Sequence, residues 1–308
     1  MKKTRYFILC TIVFFVFFLL EGCQKEKEVP QLDEGSSTKV QQKVSPTSVV
    51  EASEEVITNP NQTPMSTKEI IIKANYIIGE FSTSFSKSSE ARKKNIKNAA
   101  RKIHQVVVYP GEEFSICKYL VPFTQENGYY PAGTIVNGKV VNSYGGGVCQ
   151  VSTTLYNAVL EAELTVLERH PHSMTVSYIQ IGRDAAIAEN LKDFRFLNSL
   201  ETPIVIESVV TSYDTLIFRL RTIKQVKDEN RIVSFETKIL EEISPGEPVV
   251  EYDETKPKDY ICVTQSAYTG YKAEVYRIVT INHKEVERVK INYSEYEPSP
   301  QYMIVGKK

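Results

Sequence analysis

A lone cysteine, Cys149, stands between a glycine run and a strong helix pattern. The run is Gly145-Gly146-Gly147, and apolar residues then recur at helical spacing, which predicts a helix over about 150–164. The N-terminus of a helix favours negative charge, so a thiol placed there has a lowered pKa. The position of Cys149 therefore makes it a candidate nucleophile.

Two histidines and an aspartate complete the candidate catalytic set. A helix over 150–164 is about 21 Å long, and the following six extended residues return about 20 Å, so His170 and His172 are predicted to lie near Cys149. A histidine in reach stabilises the thiolate and later protonates the leaving group, and Asp184 would orient it. His172 is the preferred partner, because the charged residues before His170 suggest a more solvated position.

Candidate binding residues surround the cysteine. The glycines at 145–147 would let a substrate backbone approach and would offer amide donors to an oxyanion. Gln150 directly follows Cys149, and Tyr144 precedes the glycines, where its ring could stack on a sugar. The alternatives are a tight turn for the glycines and ordinary packing for Tyr144.

Other interpretations of the cysteine lead to different classes of protein. Free cysteine is often buried as a small apolar residue, and the chain would then be a scaffold or a binder. His170-Pro171-His172 with Cys149 or Asp184 supplies zinc-ligand types, but neither Cys-x-x-Cys nor His-Glu-x-x-His accompanies them, so no metal and no cofactor is predicted. Nothing like Gly-Lys-Ser follows the glycines, which disfavours a phosphate loop.

The N-terminal part predicts export and a tether. Basic residues precede an apolar run over 6–20 that is short for a bilayer span, as in a secretory signal peptide over 1–23. The run ends in Leu-Glu-Gly-Cys, similar to a bacterial lipobox, which makes Cys23 the predicted lipidation site; the alternative is an uncleaved anchor. Residues 24–67 are polar and lack aromatic residues, which predicts a disordered linker with a reach of roughly 35–40 Å.

The charge balance and the number of cysteines further restrict the possible partners and the thiol chemistry of the protein. The chain has 37 basic and 38 acidic residues, and without residues 1–22 it keeps 34 and 37, so no nucleic-acid partner is predicted. Of five cysteines, Cys10 would leave with the signal and Cys23 would carry lipid. Three remain, an odd number, so at least one thiol stays free within the monomer.

The rest of the chain predicts an α+β fold with a small all-β module at its C-terminal end. The mixed central domain covers 68–226, with the key helix after the glycine-rich loop. Glycine-punctuated hairpins are expected over 128–147. The module covers 231–308, where alternating runs around Asn282-His283-Lys284 predict a hairpin.

The central domain carries several distinctive motifs: Pro110-Gly111-Glu112-Glu113-Phe114-Ser115, Asn127-Gly128-Tyr129, the run over 145–158, Glu168-Arg169-His170-Pro171-His172-Ser173 and Gly182-Arg183-Asp184-Ala185. Together they resemble the VanW domain family, and Cys117 stands where members tend to carry Asn. The resemblance implies a bacterial envelope protein, associated by name with vancomycin-resistance clusters, and implies no particular reaction. Residues 231–308 resemble a five-glycine (G-five) domain, a module proposed to bind glycans that contain N-acetylglucosamine.

These features together predict an extracytoplasmic lipoprotein of the cell envelope, tethered to the membrane and partnered with peptidoglycan or another wall glycan. The first expectation for its role is binding or accessory work in wall maintenance. The alternative is a cysteine-dependent amidase or transpeptidase that transfers acyl groups of peptidoglycan stem peptides. The two differ in whether Cys149 reacts.

Overall fold

The computed structural model describes residues 65–136 and 139–308. The predicted signal peptide, the predicted lipidation site Cys23 and most of the predicted linker lie outside the described residues. In the described ranges, no helix combines the length and the apolar character that a membrane crossing requires. Strands predominate there over helices, and the broad α+β class holds with this emphasis on strands.

The described chain forms four helices and fifteen strands. In chain order they are α1 (Thr67–Lys73), β1 (Tyr76–Ser84), α2 (Glu90–Lys102), β2 (Val106–Val108), β3 (Glu113–Ser115), α3 (Cys117–Leu120), β4 (Pro131–Val136), β5 (Lys139–Tyr144), α4 (Val148–Glu161), β6 (Thr165–Glu168), β7 (Arg195–Leu197), β8 (Ile204–Val210), β9 (Thr215–Thr222), β10 (Arg231–Ile243), β11 (Val249–Asp253), β12 (Ile261–Gln265), β13 (Gly270–Ile281), β14 (Lys284–Tyr296) and β15 (Tyr302–Gly306).

The central region is built on a four-stranded antiparallel sheet in the order β1-β9-β8-β2. Helix α4 packs on β1 and β9, and α2 packs on α4. Twelve of the fourteen residues of α4 are buried, so the helix is enclosed rather than buried along a single apolar stripe. Its polar side chains must therefore find partners inside the protein.

Two smaller elements flank α4. The β4–β5 hairpin, predicted within 128–147, pairs Pro131 with Tyr144 and delivers the chain directly to the glycine run. A three-stranded sheet has the order β3-β7-β6, with β3 before α4 in the chain and β6 and β7 after it. The irregular segment between β6 and β7 carries both histidines and Asp184. The functional candidates thus lie on the start of one helix and on one long connection.

The C-terminal region consists of two three-stranded sheets, β10-β13-β14 and β11-β15-β12. The predicted hairpin is confirmed: Ile281 pairs with Lys284, and Asn282 and His283 have φ values of 50° and 64°. Positive φ at both central residues is the geometry of a type I′ turn, which suits a two-residue hairpin. The long strands β13 and β14 reach back to the central region.

Candidate active site

Helix α4 starts at a glycine and presents the cysteine in its first turn. Gly147 is the N-cap residue with φ 111°, a left-handed conformation that glycine adopts without a steric penalty. Cys149 is the second helical residue, half-buried, with its Sγ 3.4 Å from the carbonyl oxygen of Ile187. The sulfur therefore lies at the positive end of a fourteen-residue helix.

One face of α4 makes polar contacts with the segment over 183–187. The residues that make them are four positions apart, so they share that face. The contacts join Cys149 Sγ to Ile187 O (3.4 Å), Thr153 Oγ1 to Ala185 N (3.0 Å) and Asn157 Nδ2 to Arg183 O (2.8 Å). The helix thereby sets the position of Asp184, which lies inside this segment.

His172 and Asp184 form a close pair beside the cysteine. Oδ2 of Asp184 accepts from the backbone N–H of His172 at 2.7 Å and lies 2.6 Å from its Nδ1. With Nδ1 engaged, Nε2 is the ring nitrogen left for other partners, and it lies 3.5 Å from the hydroxyl of Tyr178. The side chain of His172 also hydrogen-bonds the thiol of Cys149. The structure thus brings together three of the predicted residues in the order cysteine, histidine and carboxylate.

Each of these groups stabilises the charged form of its neighbour. Burial would raise the pKa of Cys149, but the hydrogen bond and charge of His172 reverse this and lower it. Burial would lower the pKa of His172, but Asp184 and Cys149 raise it to about 9. Burial would raise the pKa of Asp184, but His172 and Arg169 lower it to about 2. Each of these shifts is toward the charged form of its group, that is, toward thiolate, imidazolium and carboxylate.

His170 does not join this cluster. Its Nε2 lies 3.0 Å from a carboxylate oxygen of Glu168, and its side chain is 38% exposed. The prediction brought both histidines near Cys149 at the end of an extended segment, but β6 ends at Glu168 and the chain beyond it is irregular. The two rings therefore point to different surroundings, and only His172 faces Cys149.

The candidate binding residues have internal partners. Gln150 is 2% exposed; its Nε2 donates to Thr83 and its Oε1 accepts from Arg92 at 3.0 Å. The glycines at 145–147 are buried, and the hydroxyl of Tyr144, 40% exposed, donates to Gln125. The side chain of Gln150 is thus engaged in hydrogen bonds within the protein at the base of the site and does not face a ligand.

Arg92 and Tyr178 belong to the site, although the sequence did not single them out as catalytic. The guanidinium of Arg92 lies 6.0 Å from the centre of the Tyr178 ring, and its charge also lowers the pKa of Cys149. Arg169, one of the charged residues before His170, is buried against Asp184 at 2.8 Å. Among the described residues, no group of three or more histidine, cysteine or acidic side chains is arranged to hold a metal ion.

Comparison with known proteins divides the chain into two matched regions. Residues 91–221 match the family model described as VanW like protein, and residues 236–308 match that of the G5 domain. Among solved structures, the IgA1 protease G5 domain is 23% identical and covers 25% of this chain and 93% of its own, with a TM-score of 0.17.

Two curated proteins are similar to part of this chain. YoaR of Bacillus subtilis (strain 168) is 36% identical over 162 residues, which is 50% of this chain and 54% of YoaR. The vancomycin B-type resistance protein VanW of Enterococcus faecalis (strain ATCC 700802 / V583) is 30% identical over 112 residues, 35% of this chain and 41% of that protein. The chain spans about half the length of the curated relatives that it matches.

Proposed function

The chain belongs to the VanW family and carries a C-terminal G5 domain, and from this premise we propose that it is a cysteine-dependent acyl-transfer enzyme of the cell envelope. The observation that carries the proposal is the line of contacts from Cys149 through His172 to Asp184. A buried structural cysteine needs no ionised histidine beside it. This arrangement instead lowers the pKa of the thiol, as thiol enzymes require.

The reaction follows from the protonation states. The thiolate of Cys149 attacks the carbonyl carbon of an amide, and a carbon–sulfur bond forms. Nε2–H of His172 then gives its proton to the departing amine as the carbon–nitrogen bond breaks, which leaves a thioester. Water or a second amine attacks the thioester, His172 takes up the proton, and the thiolate leaves. Water gives an amidase and an amine gives a transpeptidase.

Charge that develops on the carbonyl oxygen also needs donors. The backbone N–H of Cys149 lies in the first turn of α4, where an α-helix supplies no carbonyl acceptor of its own. The positive end of the helix and the guanidinium of Arg92 add favourable electrostatics on the same side. We assign the N–H of Cys149 as an oxyanion donor. The predicted glycine donors are less suitable, because Gly146 packs against the backbone of Ala132.

The setting of the reaction is the wall side of the membrane. We propose that Cys23 carries the membrane anchor, that 24–67 acts as a linker, and that the domains over 68–226 and 231–308 reach peptidoglycan. Stem peptides of peptidoglycan supply amide bonds and free amines, which are the two substrate types that the reaction needs. The G5 domain match supports a wall partner, and the second curated relative is named a vancomycin resistance protein.

The proposal is tested by trapping the acyl-enzyme. The full chain, purified in detergent, is treated with p-nitrophenyl acetate, and the modified peptides are identified by mass spectrometry. We expect a burst of nitrophenol and one acetyl group on Cys149. Cys149→Ala should abolish both, whereas Cys117→Ala should keep both, because burial raises the pKa of the Cys117 thiol. Purified peptidoglycan should then release new amines with the wild type only.

Equal acetylation of Cys117 and Cys149, or no acetylation of Cys149, would contradict the proposal that Cys149 is the nucleophile of an acyl-transfer enzyme. The chain would then act in wall binding, the role first expected from its sequence. A pull-down with insoluble peptidoglycan measures that role directly, and it does not depend on Cys149.

A further inference from the structure

Strand β14 of the G5 region contacts the back of the thiol site. Three alternate residues of β14, Asn292, Ser294 and Tyr296, project from the same face of the strand. Ser294 and Tyr296 are 1% and 2% exposed, so the contact is buried. The three residues contact chain segments that precede and follow His172. These segments are not in a remote part of the central domain.

The glycine of the Gly182-Arg183-Asp184 motif allows this approach. A Cβ at Gly182 would lie 2.4 Å from the side chain of Val275 on β13, and its φ of 82° is also unfavourable for other residues. Its carbonyl accepts from Nδ2 of Asn292 at 3.0 Å. The sheet of the G5 region thus packs directly on the backbone that precedes Asp184.

Hydrogen-bond counting gives the hydroxyl of Tyr296 a single orientation. The oxygen accepts the backbone N–H of Gly182 at 2.8 Å, and a phenol has one proton to donate. That proton goes to Oδ1 of Asp184 at 2.5 Å. Burial raises the pKa of Tyr296, and the charge of Asp184 raises it further, so the hydroxyl stays a donor through neutral and alkaline pH.

The second anchor of Asp184 is tied to the same strand. Arg169 donates from Nη2 to Oδ1 of Asp184 at 2.8 Å and from Nη1 to the hydroxyl of Ser294, also at 2.8 Å. Both groups that hold Oδ1 are therefore fixed by β14. With Oδ1 held in this way, Oδ2 is directed at Nδ1 of His172.

We propose that Tyr296 is a positioning residue for the thiol site, so that the G5 domain completes the active centre instead of serving only as a spacer or a wall-binding module. This inference rests on the proposed function of Cys149 and His172. Without the hydroxyl of Tyr296, Oδ1 of Asp184 keeps only Arg169 as a donor. The carboxylate is then held less firmly, and so is the orientation of the imidazolium of His172 against the sulfur.

The test compares pH profiles of Cys149 alkylation by iodoacetamide in the full chain. Tyr296→Phe keeps the ring and removes the hydroxyl, and we expect the midpoint of Cys149 to rise by about one pH unit, since a hydrogen bond to a charged group accounts for about that much. Tyr293→Phe is the matched control: Tyr293 lies on the other face of β14, 44% exposed, with its hydroxyl on Glu295. In Tyr293→Phe, the pH midpoint of Cys149 alkylation should equal that of the wild type.

A double mutant separates positioning from general loosening of the fold. If Tyr296 acts through Asp184, then Tyr296→Phe should shift the midpoint in the wild type and leave it unchanged in Asp184→Asn. Should Tyr296→Phe fail to fold, as judged by its thermal transition, Ser294→Ala supplies the same comparison, because it releases Arg169 from β14.

The outcomes distinguish this inference from the proposed function. A wild-type midpoint at or above that of an ordinary cysteine would overturn the thiolate site and the role of Tyr296 together. A low wild-type midpoint that folded Tyr296→Phe leaves unchanged or lowers further would overturn the role of Tyr296 alone.

Discussion

Replacement of His172 by alanine tests the electrostatics of the site directly. In the wild type, the hydrogen bond and charge of His172 overcome the burial that would otherwise raise the pKa of Cys149. In His172→Ala, burial acts unopposed by them, so the pH midpoint of alkylation should exceed the value of about 8.5 for a free cysteine. The wild-type midpoint should lie below that value.

The expected changes in thiolate fraction and in reaction rate at pH 7 show which quantity to measure. A thiol with the free-cysteine pKa of about 8.5 is about 3% thiolate at pH 7, and each further unit of pKa lowers that fraction about tenfold. Thiolates of higher pKa are more nucleophilic, with a slope of about 0.4–0.5, so each unit of pKa makes the remaining thiolate about threefold more reactive. The rate at pH 7 therefore falls only about three- to fourfold for each unit of pKa, and the midpoint is the decisive observable.

The assay is a series of short iodoacetamide pulses between about pH 5 and about pH 10, with peptide-level quantification by mass spectrometry. Cys117 is an internal reference, because burial and Asp193 raise its pKa. His170→Ala is the matched variant, since His170 contacts Glu168 and not the thiol. An unchanged midpoint in His172→Ala, or a shift of equal size in His170→Ala, would refute the assignment of His172.

Three further predictions concern stability and anchoring. Arg169→Met should destabilise the fold by about 3–5 kcal/mol in urea unfolding, because it leaves the buried charge of Asp184 without its guanidinium partner; a loss below about 1 kcal/mol would contradict this. Asp184 has a folded pKa of about 2 against 3.8, so its contribution of about 2 kcal/mol should be complete above pH 3.8 and should disappear as the pH falls through about 2; Asp184→Asn should lack that acid-side slope. Cys23→Ala should abolish metabolic labelling with fatty acid, and persistent labelling would place the lipid elsewhere.

Residue types and helix length were sufficient to nominate Cys149, His172 and Asp184 as candidate catalytic residues. The prediction depended on a helix that begins near Cys149 and on a return strand that brings His172 back, and both are local properties of the chain. The preference for His172 over His170 agrees with where the structure places the two rings. The sequence did not show that His170 lies apart from the site, because the prediction assumed an extended chain up to His172, whereas strand β6 ends at Glu168.

Contacts between distant parts of the chain could not be predicted. Arg169 and Tyr296 are 127 positions apart, yet both bind the same oxygen of Asp184. Nothing local distinguishes Tyr296 from the other seventeen tyrosines of the chain. One signal was present in the sequence: Cys149, Thr153 and Asn157 recur every four residues in a helix that is otherwise largely apolar, and a polar row of this kind marks a face that binds another part of the protein.

The alternation of charge along the site explains how so many ionised groups can be buried together. Thiolate, imidazolium, carboxylate and guanidinium follow one another from Cys149 through His172 and Asp184 to Arg169, so each inner charge lies between two opposite charges. Removal of a charge from water is costly unless close opposite charges and hydrogen bonds replace the solvent. Here Arg169 neutralises Asp184, so the charge of His172 is left to be balanced by a thiolate. A neutral thiol would break this balance, and the buried imidazolium would then face an uncharged sulfur. The same residues that stabilise the carboxylate therefore favour the ionised form of Cys149.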